Sequence, residues 1–170
     1  MLEIRPEHPQ DAMTIRALLE SAFQGTCEAR LVELLRAAGK AIISLVADQD
    51  GKVVGHILFS PVEIEKRPTT LDALGLAPVA VSPQFQRQGI GSRLIKEGLR
   101  LCRDSGHDLV VVLGDPHYYS RFGFKRAKDY GLDNEYGAHD EFMALELGQV
   151  ALSRVGGLVK YQPEFALADQ

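Results

Sequence analysis

The spacing of apolar residues changes in a regular order along this chain. Leu2 to Arg5 alternate apolar and charged side chains, the pattern of an edge strand. Ile15, Leu18, Leu19 and Ala22 then fall at helical spacing and predict an amphipathic helix that ends near Gly25. Leu31, Leu34, Leu35 and Ala38 repeat that spacing in a second helix, with Thr26 as its cap, Glu28 in a first turn where the helix dipole favours an anion, and Gly39 as its stop. Two strands follow, residues 41–47 and 52–60, joined by Asp50-Gly51, a pair suited to a tight hairpin.

The polar segment 63–70, which contains Pro68, reads as a connection. Residues 74–81, LGLAPVAV, are apolar on both faces and predict a central strand, covered on both sides. Pro78 cannot donate to a sheet ladder, so this strand is expected to bulge or splay near residues 78–81. A further helix places Gly91, Leu94, Ile95, Gly98 and Cys102 on one face and runs to about Gly106, before a buried strand at 109–114. Pro116 opens a short helix that Gly123 ends, a strand begins near Phe124, and residues 142–147 form the last clear one. No element is assigned from Gly148 onward. The order β α α β β β α β α β β predicts one α/β domain over residues 1–170, with a mixed sheet flanked by helices.

Composition narrows the function classes. The 170 residues are 45% hydrophobic, ordinary for a globular protein with a core. Nineteen basic against 23 acidic residues give a net charge of −4, without the positive field that duplex nucleic acid or an anionic membrane surface requires. Neither partner is expected. No segment resembles a secretory signal or a membrane span, which predicts a soluble, cytoplasmic protein. Cys27 and Cys102 read as reduced, buried, inert thiols, and the five histidines lack metal-site spacing, so no metal is expected.

The chemistry concentrates at residues 83–92, PQFQRQGIGS, between the buried strand and the helix. Gly89 and Gly91 there permit close backbone approach, and a helix that starts next points its free N–H groups and positive dipole end outward, as a phosphate site needs. A nucleotide P-loop is excluded by spelling, and a dinucleotide fingerprint would need a third glycine where Leu94 stands.

Gln86, Arg87, Gln88, Gly89, Ile90 and Gly91 match the Q/RxxGxG/A signature of the GNAT superfamily of acetyl-CoA-dependent N-acetyltransferases. With the preceding VAVSP, the later GDPHYYSRFGF and FMALEL, the chain resembles the YhbS-like branch of that superfamily over nearly its whole length. The resemblance implies the GNAT fold, a central mixed sheet with splayed parallel strands, and acetyl-CoA as co-substrate. It also implies that amides of Arg87 to Ser92 hold the pyrophosphate, that Val79, Ala80 and Val81 pair with pantetheine, and that the thioester enters beside the splayed strand.

The reaction it implies is direct attack of a primary amine, of an unidentified small-molecule or peptide acceptor, on the thioester in a ternary complex. The Val81 N–H would donate to the tetrahedral oxyanion, a contact worth about 3 kcal/mol. Tyr119, four residues before Gly123, would supply a proton or a hydrogen bond to the departing thiolate. The glutamate that some relatives carry before the signature has no counterpart at Leu74 to Ala77. Glu28, at the start of the second helix, is a candidate base where that region lines the cleft, as the resemblance implies, its alternative reading being a surface acid. Asp115, suited to an ordinary helix cap, and His117 are weaker candidates, and water is a further route for the proton. GDP stands where relatives usually carry an asparagine. Dimers are common in the superfamily, and a homodimer is compatible with this chain, although no exposed stripe marks an interface. A non-catalytic acyl-CoA-binding module, and transfer of a different acyl group, are the competing readings.

Overall fold

The computed structural model describes residues 1–65, 72–148 and 156–170. In chain order its elements are β1 (Leu2–Pro6), α1 (Ala12–Phe23), α2 (Cys27–Ala37), β2 (Ile43–Gln49), β3 (Lys52–Pro61), β4 (Glu63–Glu65), β5 (Ala73–Val81) and α3 (Ile90–Asp104). Then come β6 (Leu109–Leu113), α4 (Pro116–Tyr119), β7 (Lys125–Arg126), β8 (Leu132–Asn134), β9 (Phe142–Glu146), β10 (Gly157–Lys160) and α5 (Glu164–Ala168). They form two compact units interleaved in sequence: Met1–Ser60, Ala77–Leu101 and Pro163–Gln170 in the first, Pro61–Leu76 and Cys102–Gln162 in the second. No helix of the described residues is long and apolar enough to cross a membrane.

In the first unit the strand order is β1-β2-β3-β5. β1 pairs antiparallel with β2 from Leu2↔Gln49 to Pro6↔Leu45, and β2 with β3 from Ile43↔Phe59 to Gln49↔Lys52. Asp50 and Gly51 both take positive φ, 53° and 90°, as the hairpin reading requires. Against these strands pack Ile15, Leu18 and Leu19 of α1 and Leu31, Val32 and Leu35 of α2, all 7% exposed or less. Each such buried side chain is worth roughly 1.5–3 kcal/mol, so the apolar stripes dock these helices. Gly98 of α3 meets Phe59 so closely that a Cβ would stand 2.4 Å from the ring. That contact explains a glycine on the apolar face of the helix.

In the second unit β5 runs parallel to β6 from Ala73↔Leu109 to Leu76↔Val112, β6 antiparallel to β9, and β9 antiparallel to β7. A separate sheet orders β4-β10-β8. The parallel register of β5 with β6 stops at Leu76, two residues before Pro78, as the splayed-strand expectation requires.

Several expectations need correction. Residues 63–65 are not connection but strand: Ile64 is buried opposite Val159. Pro68 lies outside the described residues. Thr26 occupies the cap position of α2, yet its backbone is helical and its side chain makes no capping bond. α1 ends one residue earlier than its glycine suggests, with Gln24 in the left-handed region. Cys27 is exposed rather than buried, whereas Cys102 is buried. The stretch after Gly148, unassigned from sequence, contains β10 and α5. Ala168 of α5 joins the helical core, and Lys40 ties Glu164 at 2.8 Å.

A polar cluster sits at the start of β2. Glu7 accepts from the Ser44 hydroxyl and, at 2.8 Å, from Arg36, while Ser44 Oγ lies 2.9 Å from Nε2 of the fully buried His56. Burial opposes ionisation of Glu7, but His56, Ser44 and Arg36 together hold its carboxyl down at about 2. Burial likewise lowers the pKa of His56. For Glu7 the native state binds fewer protons than the unfolded chain, so its contribution is present above the ordinary glutamate range and is lost as pH falls toward 2. For His56 the unfolded chain takes up the proton first as pH falls through about 6.5, again favouring unfolding. Both signs agree. Stability should therefore fall on acidification, with Glu7 accounting for about 3 kcal/mol between neutral pH and pH 2. Urea midpoints measured across this range test it: Glu7→Gln should flatten the acid limb, and a variant as acid-sensitive as the parent would exclude Glu7 as the cause.

Candidate active site

The loop after β5 is built on the first unit. Ser82 N–H donates to the Val54 carbonyl of β3 at 2.8 Å. Because backbone groups alternate along a strand, Ala80 shares that direction and the N–H groups of Val79 and Val81 point away from β3. Beyond Leu76 that edge of β5 lies outside its register with β6. A 3-10 turn at Pro83–Phe85 follows, and the Gln86 side-chain amide donates to the Val81 carbonyl at 3.0 Å, tying the loop back to the strand end.

Arg87 and Gly89 both have positive φ, 64° and 82°. Gly91 is already helical, so the conformational demand falls on Arg87 and Gly89 rather than on the two glycines. A Cβ on Gly89 would meet no protein atom within 4 Å; the space it faces is open. The first bond into α3 is Arg93 N–H to the Gly89 carbonyl, at 3.1 Å. The amides of Arg87 through Ser92 consequently make no hydrogen bond among the described residues. Six consecutive N–H groups without a partner among the described residues thus stand at the positive end of a 15-residue helix, the donors that an anion requires.

Tyr119 belongs to the second unit, at the end of α4. The helix starts from Asp115, whose carboxylate accepts from His117 N–H at 2.9 Å. The Tyr119 ring is edge-on to Phe124, with centroids 5.7 Å apart, and to Tyr118 at 5.2 Å. It also comes so close to Gly114 that a Cβ there would stand 2.3 Å from Cε2. Its hydroxyl makes no hydrogen bond among the described residues. Burial pushes its pKa up to about 12, so the phenol holds its proton throughout the working range.

Residues 3–127 match the family model described as the acetyltransferase (GNAT) domain. The chain belongs to the GNAT family of acetyltransferases. It is 41% identical over 164 residues to the uncharacterized N-acetyltransferase YhbS of Escherichia coli K12, covering 95% of this chain and 97% of that protein. The crystal structure of E. coli YhbS in complex with CoA superposes with a TM-score of 0.91 at 40% identity, covering 97% of this chain and 92% of that one. A GNAT family acetyltransferase from Brucella melitensis in complex with acetyl-CoA gives 0.81, also at 40% identity, covering 97% and 98%. The mixed sheet flanked by helices is the GNAT fold.

Within this GNAT chain the first unit contains Val79, Ala80, Val81, the signature loop and Glu28, and the second contains Tyr119. Glu28 is half-buried in the first turn of α2 and makes no hydrogen bond or ion pair among the described residues. Asp115 is spent as a helix cap. Among the described residues no group of three or more His, Cys, Asp or Glu side chains is arranged to hold a metal ion. Sequence reasoning missed Gly114, whose lack of a side chain makes room for the Tyr119 ring, and Gln86 as the brace of the loop. The GDP in place of the usual asparagine was the available signal for Gly114.

Proposed function

We propose that residues 1–170 act as a single GNAT domain that transfers the acetyl group of acetyl-CoA to a primary amine by direct attack in a ternary complex. The observation that carries this reading is the row of unpaired amides from Arg87 to Ser92, immediately after a strand edge left outside its register. Diphosphate oxygens fit the amides of Arg87, Gln88, Gly89, Ile90, Gly91 and Ser92, with Gln86 holding the loop, and pantetheine fits the outward groups of Val79 and Val81 beside Ala80. The complexes of the E. coli and Brucella relatives with CoA and acetyl-CoA support the same choice of co-substrate.

In the step itself the amine nitrogen attacks the thioester carbonyl, the Val81 N–H stabilises the oxyanion, and the C–S bond breaks as the amide forms. The amine proton leaves to Glu28 or to water. Tyr119 stands for the thiolate. With its pKa near 12 against about 8.5 for a thiol, full proton transfer from the phenol would be uphill by about 5 kcal/mol. Its role is then a hydrogen bond to the developing thiolate, with the final proton coming from solvent. The acceptor is a small molecule or a peptide bearing the amine.

Thiol release from acetyl-CoA measured over a panel of primary amines, α-amino and ε-amino peptides included, tests the reading. Release above the amine-free rate, with one acetamide formed per thiol, is the expected result. CoA binding without release across the panel would replace it with the acyl-CoA-binding module.

A further inference from the structure

We infer that the first unit carries a second small-molecule site, separate from the signature loop, which takes a small aliphatic carboxylate. A cavity of about 620 Å³ is lined by the end of β1, the first turn of α1, the last turn of α2, the start of β2 and the far end of α3. That volume lies within the range of roughly 300–1,000 Å³ usual for small-molecule sites. Pro6, Ala12, Ile43, Leu45 and Leu101 make its wall apolar, and Ile42, also lining it, remains 44% exposed. Glu7, Arg36 and Ser44 supply its polar end.

Hydrogen-bond accounting at that end selects the ligand. Both Glu7 oxygens are taken, Oε1 by the Ser44 hydroxyl and Oε2 by Arg36 Nη2. Arg36 is engaged through Nη2 alone; its Nε–H and Nη1 donors have no protein partner among the described residues, although its side chain is only 31% exposed. These are charge-assisted donors lying in the guanidinium plane, and a carboxylate oxygen is the acceptor that suits each of them. An amine would find no free acceptor there, because both Glu7 oxygens are already occupied. A hydrocarbon would leave these donors unsatisfied, and an inorganic anion would leave the apolar wall wet. A carboxylate on an aliphatic body satisfies both.

The site is distinct from the loop by position. Gln49 and Lys52 close the far end of the β2–β3 hairpin, where Lys52 sits 5.7 Å over the Phe85 ring beside the loop, whereas Ile43 of the cavity pairs with Phe59 at the opposite end. Along α3, Leu101 lies eleven residues beyond Ile90, roughly 16 Å at the helical rise. One helix therefore has the loop at its start and the cavity near its end.

Octanoate titrated into the 15N-labelled full chain is the test, followed by amide resonances. Saturable shifts are expected at Gly39, Ile42, Ser44 and Leu45, persisting when CoA is present at saturation. 1-Octanol and octylamine should bind at least about tenfold more weakly, since each loses the charge-assisted pair with Arg36. Ala12→Leu, which fills the cavity without touching the polar cluster, should abolish the shifts, and Arg36→Gln should weaken them about tenfold. Unmoved resonances, octanol or octylamine binding as well as octanoate, displacement by CoA, or full binding to Ala12→Leu would each overturn the site. Acetyl transfer enters none of these readouts, so the outcome is independent of the proposed reaction.

Discussion

Tyr119→Phe is expected to lower kcat about tenfold to a hundredfold while leaving the Kd for acetyl-CoA within about twofold of the parent, as follows from removing one hydrogen bond to a charged leaving group. A general acid in the full sense would be worth up to about 10⁴-fold, but a phenol pushed up to about 12 by burial is too weak an acid for that. The ring itself is locked between Gly114 and Phe124, so removing only the hydroxyl preserves the packing. Steady-state kinetics with calorimetry of acetyl-CoA binding separates the two effects. Turnover equal to the parent on every amine that supports transfer would remove Tyr119 from the reaction, and a loss confined to Kd would make it a binding residue. The pH profile adds a second reading, because a donor that stays protonated should impose no basic limb on kcat below about pH 10.

Gly89→Val should weaken CoA binding about a hundredfold or more. The position has φ 82°, and nothing in the protein occupies the place of the missing Cβ. A valine there is strained by backbone sterics alone, at a cost on the order of 1–3 kcal/mol, which a free loop relieves by changing conformation. Relief scatters the amides of Arg87 to Ser92, and each lost contact with a phosphate oxygen is worth about 1.5–3 kcal/mol. Two such losses suffice for the stated effect. The fold should survive, since Gly89 lies at an exposed loop and contributes nothing to the core. Calorimetric titration with CoA, alongside thermal unfolding, checks both halves. Unchanged affinity in a folded variant would exclude these amides as the diphosphate site.

The elements that the sequence determined by itself are those whose own residues carry a repeating apolar pattern. The three long helices, the β2–β3 hairpin and strands β5, β6 and β9 were legible because each carries a continuous apolar pattern, from five residues in β6 and β9 to 15 in α3, that any fold must cover. The signature loop was legible for a related reason: a glycine at positive φ before a helix is a local demand. Pro78 was informative in the same way, since a residue without an N–H limits pairing wherever it stands.

Tertiary structure alone decided the rest. β4, β8 and β10 are three or four residues long, and each becomes a strand only because distant segments present matching edges: Val159 stands beside both Ile64 and Asn134. Thr26 had the right side chain for a cap and did not use it, because α2 enters from a helical turn. Arg87 in the left-handed region has no signature in its neighbours along the chain and is forced by the path from β5 into α3. Gly114 was marked by the GDP before α4, but its reason, the close approach of the Tyr119 ring, is visible only in the structure. Periodicity records what a segment must bury, and sequence carries it; which partner it is buried against, and what that contact leaves unpaired, is settled only when remote segments meet.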